Sequence, residues 1–481
     1  MNYRWDKITF AICLLLFYVV AAFSCTITVV APSDAHGALL WKNRDVSNEH
    51  QEVRYFDSES YHFIANVYEG ETDRAWSGVN EAGLAIVNTD TYNQGSWVTL
   101  GDDDGHIMFH ALGHFSNVNQ FEEYLDSTNI SIRRSTHCYA LIDSTGAAVL
   151  FEAGRDYYFK YDASDDPDGF IVRTNYADSG SVFDRVGMER RTRAEFILST
   201  AEIISPQLLI FGLARDLVTE EIDPYPLPFD FSFGTYPNGV IEARYTINRY
   251  YTTSASIIVG NNNSNIPTTM WQYLGQPINT IPIPLWVQAR GLPPSVYGPD
   301  GSSLCDLAIE LKSLVYTGIF TIDTYAIADI LDRFSSVEEM IQARIDSEID
   351  RDSITRIDLI EFAALQSDFA NMILAKYWEI RSLYVREARY FVPENPDIAV
   401  YPNPFNSSGN IIFDSDRCGS VDINIYNQSG RFTSTPVANY RIYRGDNKIP
   451  LHLAGFPSGR YIAELVLDGS RVTSSSFILL K

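Results

Sequence analysis

Cysteine is scarce in this chain of 481 residues: there are five, and no two of them stand in a C-x-x-C pair. A disulfide framework or a four-ligand zinc site needs paired spacings, so both are excluded. Basic runs are missing as well. Against 61 Asp and Glu there are only 36 Lys and Arg, a formal charge of -25, which leaves no basic footprint for nucleic acid or anionic lipid. Past residue 23 no apolar run approaches the roughly 20 residues of a bilayer-spanning helix, so no stable membrane span is expected. No pattern asks for a cofactor, and none is expected. What the chain does have is 29 Tyr, 27 Phe and a charged fraction of only 20%, a globular composition. Its length exceeds the size at which one hydrophobic core stops growing, so two domains are expected beside a processed segment.

The processed segment is the N-terminal one. Arg4 and Lys7 precede Ile8–Phe23, a run without charge, and Ala22-Phe23-Ser24 puts small residues at the two key positions of a secretory cleavage site. About 16 apolar residues are too few for a span of roughly 20. The expectation is a signal peptide over 1–24, which makes Cys25 the first residue of the exported chain. Cys13 leaves with the signal. If Cys25 stays a thiol, Cys138, Cys305 and Cys418 are an odd set that can form one disulfide at most.

From Cys25 to about Asp162 the sequence reads as short strands and turns, with helical spacing of Phe109, Leu112, Phe121 and Leu125 over His106–Leu125. CYALIDSTGAAVLFEA reads as a hairpin turning at Ser144-Thr145-Gly146, and TTSASIIVGNNNSNIPTTMWQYLG as another. From about Ser303 to Tyr390 the pattern is helical, and Leu365, Phe369, Ile373, Tyr377, Ile380 and Tyr384 form one apolar stripe that faces a core. PENPD ends it, because closely spaced prolines break any regular element. The larger domain is thus expected over 25–392, a linker over 393–398, and a small β-sandwich over 399–481, where AVYPNPFNSSGNIIF, VDINIYNQSGR and SGRYIAELVLDG alternate. The sandwich brings together no His, Cys and carboxylate set, so addressing or attachment is its expected role.

If Thr26–Val30 runs out as a strand, Pro32–Gly37 turns and Ala38–Trp41 runs back, paired residue numbers sum to about 69 or 70, and Cys25 meets Arg44 or Asp45 across ~5 Å. An acid then stands beside the freed amino terminus. A thiol is a weak nucleophile until deprotonated, and an α-amine of pKa ~8 is well matched to a thiol of ~8.5. One residue supplies nucleophile and base, with Asp45 holding the amine and Lys42 and Asn43 on the same returning end. Two rivals are a lipidated Cys25, whose acylated amine is no base, and a purely structural cysteine. His110 and His114 share a helical face in HALGH, but Ala111 stands where a zinc peptidase has Glu. Asp102-Asp103-Asp104-Gly105 reads as a solvated turn without the spacing of a calcium loop. No metal is expected.

CTITVVAPSDAHGALLWKNRD, WSGVNEAGLAIVN, ALIDSTGAAVLFE, IVRTNYADSG and TTSASIIVGN follow one another over roughly residues 25 to 290. Together they resemble the isopenicillin-N acyltransferase and carcinine hydrolase-like group of N-terminal nucleophile (Ntn) cysteine hydrolases, related to choloylglycine hydrolase and penicillin V acylase. The resemblance implies an α+β fold: a four-layer αββα sandwich with the mature N-terminal Cys on an inner strand, followed here by the small C-terminal all-β, Ig-like sandwich. It implies Cys25 as nucleophile, Asp45 in NRD as the acid, and Asn175 in RTNY as an oxyanion-hole amide. Asn88 in AIVN matches a second asparagine, at a spacing one or two residues short of several relatives. Lys42 stands where many members carry Arg or Gln, and with Asn43 it is placed near the substrate. Arg190 matches a serine-arginine motif that has Glu189 here in place of Ser, and Arg191 or Arg249 fits that role equally.

YPNPFN, IYNQSGR, SGRYIAEL and FILLK resemble the C-terminal sorting domain of the type IX secretion system. That implies a bacterium with two membranes, the type IX machinery as partner, and a secreted or cell-surface location. The expected function is an exported cysteine amidohydrolase or acyltransferase that cleaves a linear non-peptide amide, a small molecule, through a thioester on Cys25. Hydrolysis is favoured outside the cell, where acyl-CoA donors are absent. A dipeptidase of the same mechanism and a non-catalytic, surface-displayed binding or structural protein (a lipoprotein) are the alternatives. The acyl group, the amine and the oligomeric state stay open.

Overall fold

The computed structural model describes residues 25–95, 103–232, 234, 236–261, 266–299, 301–318, 320–348, 359–390, 398–401, 403–415, 418–427 and 431–480. The expected signal peptide, residues 393–397 of the expected linker, Asp102 and the hairpin centre 262–265 lie outside them. The chain divides into two compact units. The first takes in the described residues up to Pro226 together with Ala243–Ile309 and Ala328–Trp378, and the second Leu227–Glu242, Glu310–Ile327 and the described residues from Glu379 on.

Along the chain come β1 (Thr26–Val30), β2 (Leu39–Asp45), β3 (Gln51–Phe56), β4 (Phe63–Tyr68), β5 (Ser77–Asn80) and β6 (Ala85–Asp90). Helices α1 (Asp104–His114) and α2 (Val118–Ser131) follow, then β7 (His137–Ile142), β8 (Ala148–Ala153), β9 (Tyr158–Asp162), β10 (Phe170–Arg173) and α3 (Met188–Thr200). Past β11 (Val240–Glu242), which belongs to the second unit, lie β12 (Thr252–Val259), β13 (Thr269–Leu274) and β14 (Ile283–Leu285). The first unit is α+β and its sheets are antiparallel. Strands β3 to β9 form a seven-stranded meander in chain order, and a six-stranded sheet runs β10-β1-β2-β12-β13-β14.

β1 and β2 lie against β6, β7 and β8, so the two sheets face each other. Strands covered on both faces read as continuous apolar or β-branched runs rather than as alternation, and TITVV and TTSASIIV are buried at every position. Polar pairs also cross this interface. Ser254 Oγ donates to Asn66 Oδ1 at 3.1 Å, and the Ser77 and Ser256 hydroxyls meet at 2.6 Å.

On the other face of the meander, Met108 and Leu112 of α1 and Phe121 and Leu125 of α2 pack with Phe63, Tyr139 and Phe151. The helical spacing expected over His106–Leu125 falls on these two helices. The break has a local cause: Asn117 restarts the chain as an N-cap, its side chain accepting from Gln120 N at 3.1 Å. α1 comes close to β5 because residue 78 is Gly. A Cβ there would lie 2.6 Å from Leu112 Cδ1 and 2.7 Å from Ile64 O.

The region expected to be helical from Ser303 to Tyr390 contains α4 (Ser303–Val315), α5 (Thr324–Glu348) and α6 (Leu359–Tyr390), with β15 (Thr321–Asp323) between the first two. β15 pairs with β11 in the second unit. The stripe on α6 is buried as expected from Leu365 to Ile380. The C-terminal part is all β: β16 (Ala399–Tyr401), β17 (Ser408–Ser415), β18 (Gly419–Asn427), β19 (Phe432–Ile442), β20 (Gly445–His452), β21 (Gly459–Leu467) and β22 (Ser470–Leu479). They form sheets of order β16-β17-β20 and β19-β18-β21-β22, and Ile411, Phe413, Ile423, Ile425, Ala463 and Leu465 share one core. Cys25, Cys138, Cys305 and Cys418 are free thiols, so the one disulfide left open by the sequence is not formed. Among the described residues no helix is long and apolar enough to cross a membrane.

Phe121 has no exposed surface. Replacing it by Ala is expected to cost the first unit about 3–5 kcal/mol, read as a shift in the denaturant midpoint. A loss below about 1 kcal/mol would show that this layer repacks instead of opening a cavity.

Candidate active site

Thr26 pairs with Asn43, and the register continues to Val30 opposite Leu39. One step back along it sets Cys25 opposite Arg44 and leaves Asp45 one residue further, on the side of the Cys25 backbone nitrogen. The Asp45 carboxylate has no exposed surface. Its Oδ2 accepts from Arg249 Nε at 2.7 Å and its Oδ1 from Thr252 Oγ1 at 2.7 Å, while Arg190 Nη1 stands 3.8 Å away. A buried carboxylate is tolerated only when such partners replace its hydration.

Arg190 comes from the first turn of α3, entered through Gly187 in a left-handed conformation (φ 84°). A side chain at residue 187 would be strained by that φ and would run into the Arg190 guanidinium. Fully buried, Arg190 donates from Nη1 to the Cys25 carbonyl at 2.9 Å and to Thr26 Oγ1 at 2.6 Å, and from Nη2 to Asn175 Oδ1 at 3.1 Å. Asn175 in turn donates from Nδ2 to Thr89 Oγ1 at 3.2 Å and to Asp90 O at 3.4 Å. Thr89 closes the ring, its hydroxyl donating to the Cys25 carbonyl at 3.4 Å.

On the opposite side Lys42 is buried and donates from Nζ to Trp76 O at 2.7 Å and to Asn88 Oδ1 at 2.5 Å. Asn88 Nδ2 donates to Asp104 Oδ2. Burial pushes the Cys25 thiol above its ordinary range, Lys42 pulls it back, Asp45 and Asp90 push it up again, and a backbone hydrogen bond from Asp45 favours the thiolate. The Lys42 ammonium is pressed down by burial and held up first of all by Cys25. Each of the two groups thus favours the charged form of the other. Tyr92 belongs to the same surroundings; burial, Asp90 and Cys25 hold its hydroxyl far above its usual range.

The structure therefore gathers Cys25, Lys42, Asp45, Asn88, Asn175, Arg190 and Arg249 around the start of β1. Arg191, one residue along the helix, points elsewhere and pairs with Asp178 and Glu195. Asn43 faces the other way from Lys42. Its amide donates to Ala214 O and Ile247 O at 3.0 and 3.3 Å, and its Oδ1 accepts from Trp41 Nε1.

The sequence did not single out Thr89, Asp90, Tyr92, Thr252 or His137, and it read Asp104 only as part of a turn. Thr89 and Asp90 directly follow Asn88 in AIVNTD, and Thr252 opens the TTSAS strand, so neighbouring motifs held that signal. Asp104, read as part of a solvated turn, is buried instead. His110 and His114 stack on each other at 4.3 Å on α1. The donor atoms of Asp90, Asp104 and His137 come within 4.8 Å of one another, with His137 Nδ1 facing both carboxylates.

Residues 399–479 match the family described as secretion system C-terminal sorting domain. No curated protein matches the chain. Among solved structures, a variant of conjugated bile acid hydrolase from Clostridium perfringens is 13% identical, with a TM-score of 0.32, over 54% of this chain and 92% of its own. Penicillin V acylase from Agrobacterium tumefaciens is 13% identical, TM-score 0.32, over 55% and 85%. A thermostable penicillin G acylase from Alcaligenes faecalis is 9% identical, TM-score 0.30, over 94% and 89%. At these TM-scores the likenesses carry no weight in the functional reading, which rests on the residues themselves.

Arg249→Met strips Asp45 of its shorter charged contact inside the protein. The expected loss is about 3–5 kcal/mol, measured by chemical denaturation, with Arg249→Lys falling between the two. A variant as stable as the parent would mean that Arg190 and Thr252 alone satisfy the carboxylate.

Proposed function

We propose that this chain is an exported cysteine amidohydrolase of the N-terminal nucleophile type, acting on a linear non-peptide amide once residues 1–24 are removed. The observation that carries the reading is the fully buried Asp45 carboxylate close to Cys25, with Arg190 bound to the Cys25 carbonyl. So much buried charge around one backbone position has no use in a plain strand end. It suits a position where an amine is to be freed. The layer order αββα, the Ig-like form of the C-terminal sandwich and delivery by the type IX secretion machinery to the surface or the medium belong to the same proposal. The sorting-domain match over 399–479 supports the export.

In the proposed reaction the free α-amine of Cys25 takes the thiol proton, and the sulfur adds to the amide carbonyl carbon. Negative charge gathers on the carbonyl oxygen, where the Asn175 and Asn88 amides donate to it. The ammonium then returns its proton to the nitrogen of the leaving amine, the C–N bond breaks, and a thioester remains. Water, deprotonated by the same amine, attacks the thioester and releases a carboxylic acid and the free thiol. Lys42 favours the thiolate, Asp45 orients the ammonium, and Arg190 holds both the Cys25 backbone and Asn175.

Removal of residues 1–24 is then also the step that frees the base. N-terminal sequencing of the exported protein should return Cys25 as residue one, and incubation with acyl amides should add one acyl mass to the Cys25 peptide. A mature chain starting elsewhere, or one with a lipid on its nitrogen, sinks the proposal. Asn175→Ala is expected to lower kcat by about 100- to 1,000-fold with little change in KM. With iodoacetamide near neutral pH, Cys25 should label faster in the chain beginning at Cys25 than in the full-length chain. Cys305, whose thiol burial pushes up to about 12, should stay slow in both.

A further inference from the structure

Beneath the nucleophile runs a line of buried polar side chains that the proposed chemistry does not itself use. Asp104 opens α1, where the helix N-terminus favours a carboxylate, and it is 3% exposed. Its Oδ1 accepts from Gly105 N at 2.7 Å, and its Oδ2 accepts from Asn88 Nδ2. His137 on β7 lies with Nδ1 at 3.0 Å from Asp90 Oδ1 and 3.7 Å from Asp104 Oδ2. Its Nε2 meets Ser135 Oγ at 2.5 Å, and that hydroxyl gives its single proton to Asp103 Oδ1 at 2.6 Å. The serine oxygen therefore accepts from the ring. An acceptor thus stands at one ring nitrogen, and two carboxylates face the other.

This order of donors fixes Asn88. An amide has one acceptor end and one donor end. Because Asp104 takes the donor end, the carbonyl end must face Lys42, where it binds Nζ at 2.5 Å. We propose that Asp104 and His137 are a positioning pair for the nucleophile: through Asn88 they aim the Lys42 ammonium at Cys25. The groups that face Lys42 are Cys25 ahead of β1, Arg44 on β2, Asn88 and Asp90 on β6, and Asp104 on α1. Among the described residues, Asp90, Asp104, Ser135 and the Tyr139 ring at 5.8 Å stand around His137. Loss of the Asp104 charge leaves the Lys42 ammonium with one carboxylate fewer to hold its proton, so a thiolate at Cys25 loses support.

The inference rests on Cys25 being the nucleophile, and its test separates the two. The rate of Cys25 alkylation by iodoacetamide is followed against pH on the exported protein, with Cys138 and Cys305 as internal references, beside kcat, KM and the melting temperature. In Asp104→Asn the alkylation midpoint should rise by about one pH unit, a tenfold slower rate at fixed pH below it. The kcat should fall about tenfold or more with KM within about threefold. Asp104→Glu should restore much of both. His137→Gln, which leaves the start of α1 intact, should move the midpoint in the same direction and carries the test if Asp104→Asn does not fold. A purely structural role predicts a lower melting temperature with the alkylation profile unmoved, and that result overturns the inference. If Cys25 of the parent protein labels no faster than Cys305, the functional reading itself falls.

Discussion

A carboxylate with no contact to water governs the architecture around Cys25. Asp45 sits at the end of β2 and has no exposed surface. Leaving it unpaired there would cost several kcal/mol, so the fold must deliver cations. They come from far along the chain: Arg249 just before β12 and Arg190 on the first turn of α3. The Asp45 site therefore exists only when the hairpin, the helix and the β12 strand are all in place. Arg190 makes the dependence stricter, because the same guanidinium that faces Asp45 also holds the Cys25 carbonyl and orients Asn175.

The charges around Cys25 fall into two groups. On one side Asp45 faces Arg190 and Arg249; on the other Lys42 and His137 face Asp90 and Asp104. Cys25 lies between them. Burial raises its thiol, and Lys42 is the strongest opposing influence. In the proposed reaction this sulfur is quiet while its backbone nitrogen is tied up in a peptide bond, since the α-amine is its base. The protein's net charge of -25 thus says little about the site, where cations stand beside the carboxylates.

How much of this was legible in the sequence depends on the range of the cause. The β1/β2 hairpin follows from a β-branched run, a Pro-to-Gly turn and a returning apolar run, and its register came out at the lower of the two sums considered. The β7/β8 hairpin and the stripe on α6 are likewise local patterns. Arg190 against Arg191 was not decidable locally, because neighbouring residues on a helix point about 100° apart and nothing in ERRTRAEF says which side faces the strand. Asn43 looked like part of a substrate-facing end. In a strand, however, adjacent side chains alternate, and Lys42 took the face toward β6. Asp104 was misread for a related reason: a run of acids before a glycine is usually solvated, and only Asn88, reached through the fold, makes this one a buried acceptor.

The hydrogen bonds of the asparagines separate Asn43 from the two amides that the proposed reaction uses. Asn43 spends both amide hydrogens on the backbone carbonyls of Ala214 and Ile247; turning it toward a substrate would leave two buried acceptors unpaired, at about 1–3 kcal/mol each. Asn175 also uses both, but at 3.2 and 3.4 Å, long for such bonds. Exchanging one of these for a developing oxyanion costs little, because the charged acceptor forms the stronger bond. Asn88 donates to Asp104, with Lys42 fixing its other end, so its second amide hydrogen has a set direction. Of these three asparagines, the two held by cations at their carbonyl ends are those that the proposed reaction uses as oxyanion donors, and this is what distinguishes them from the third.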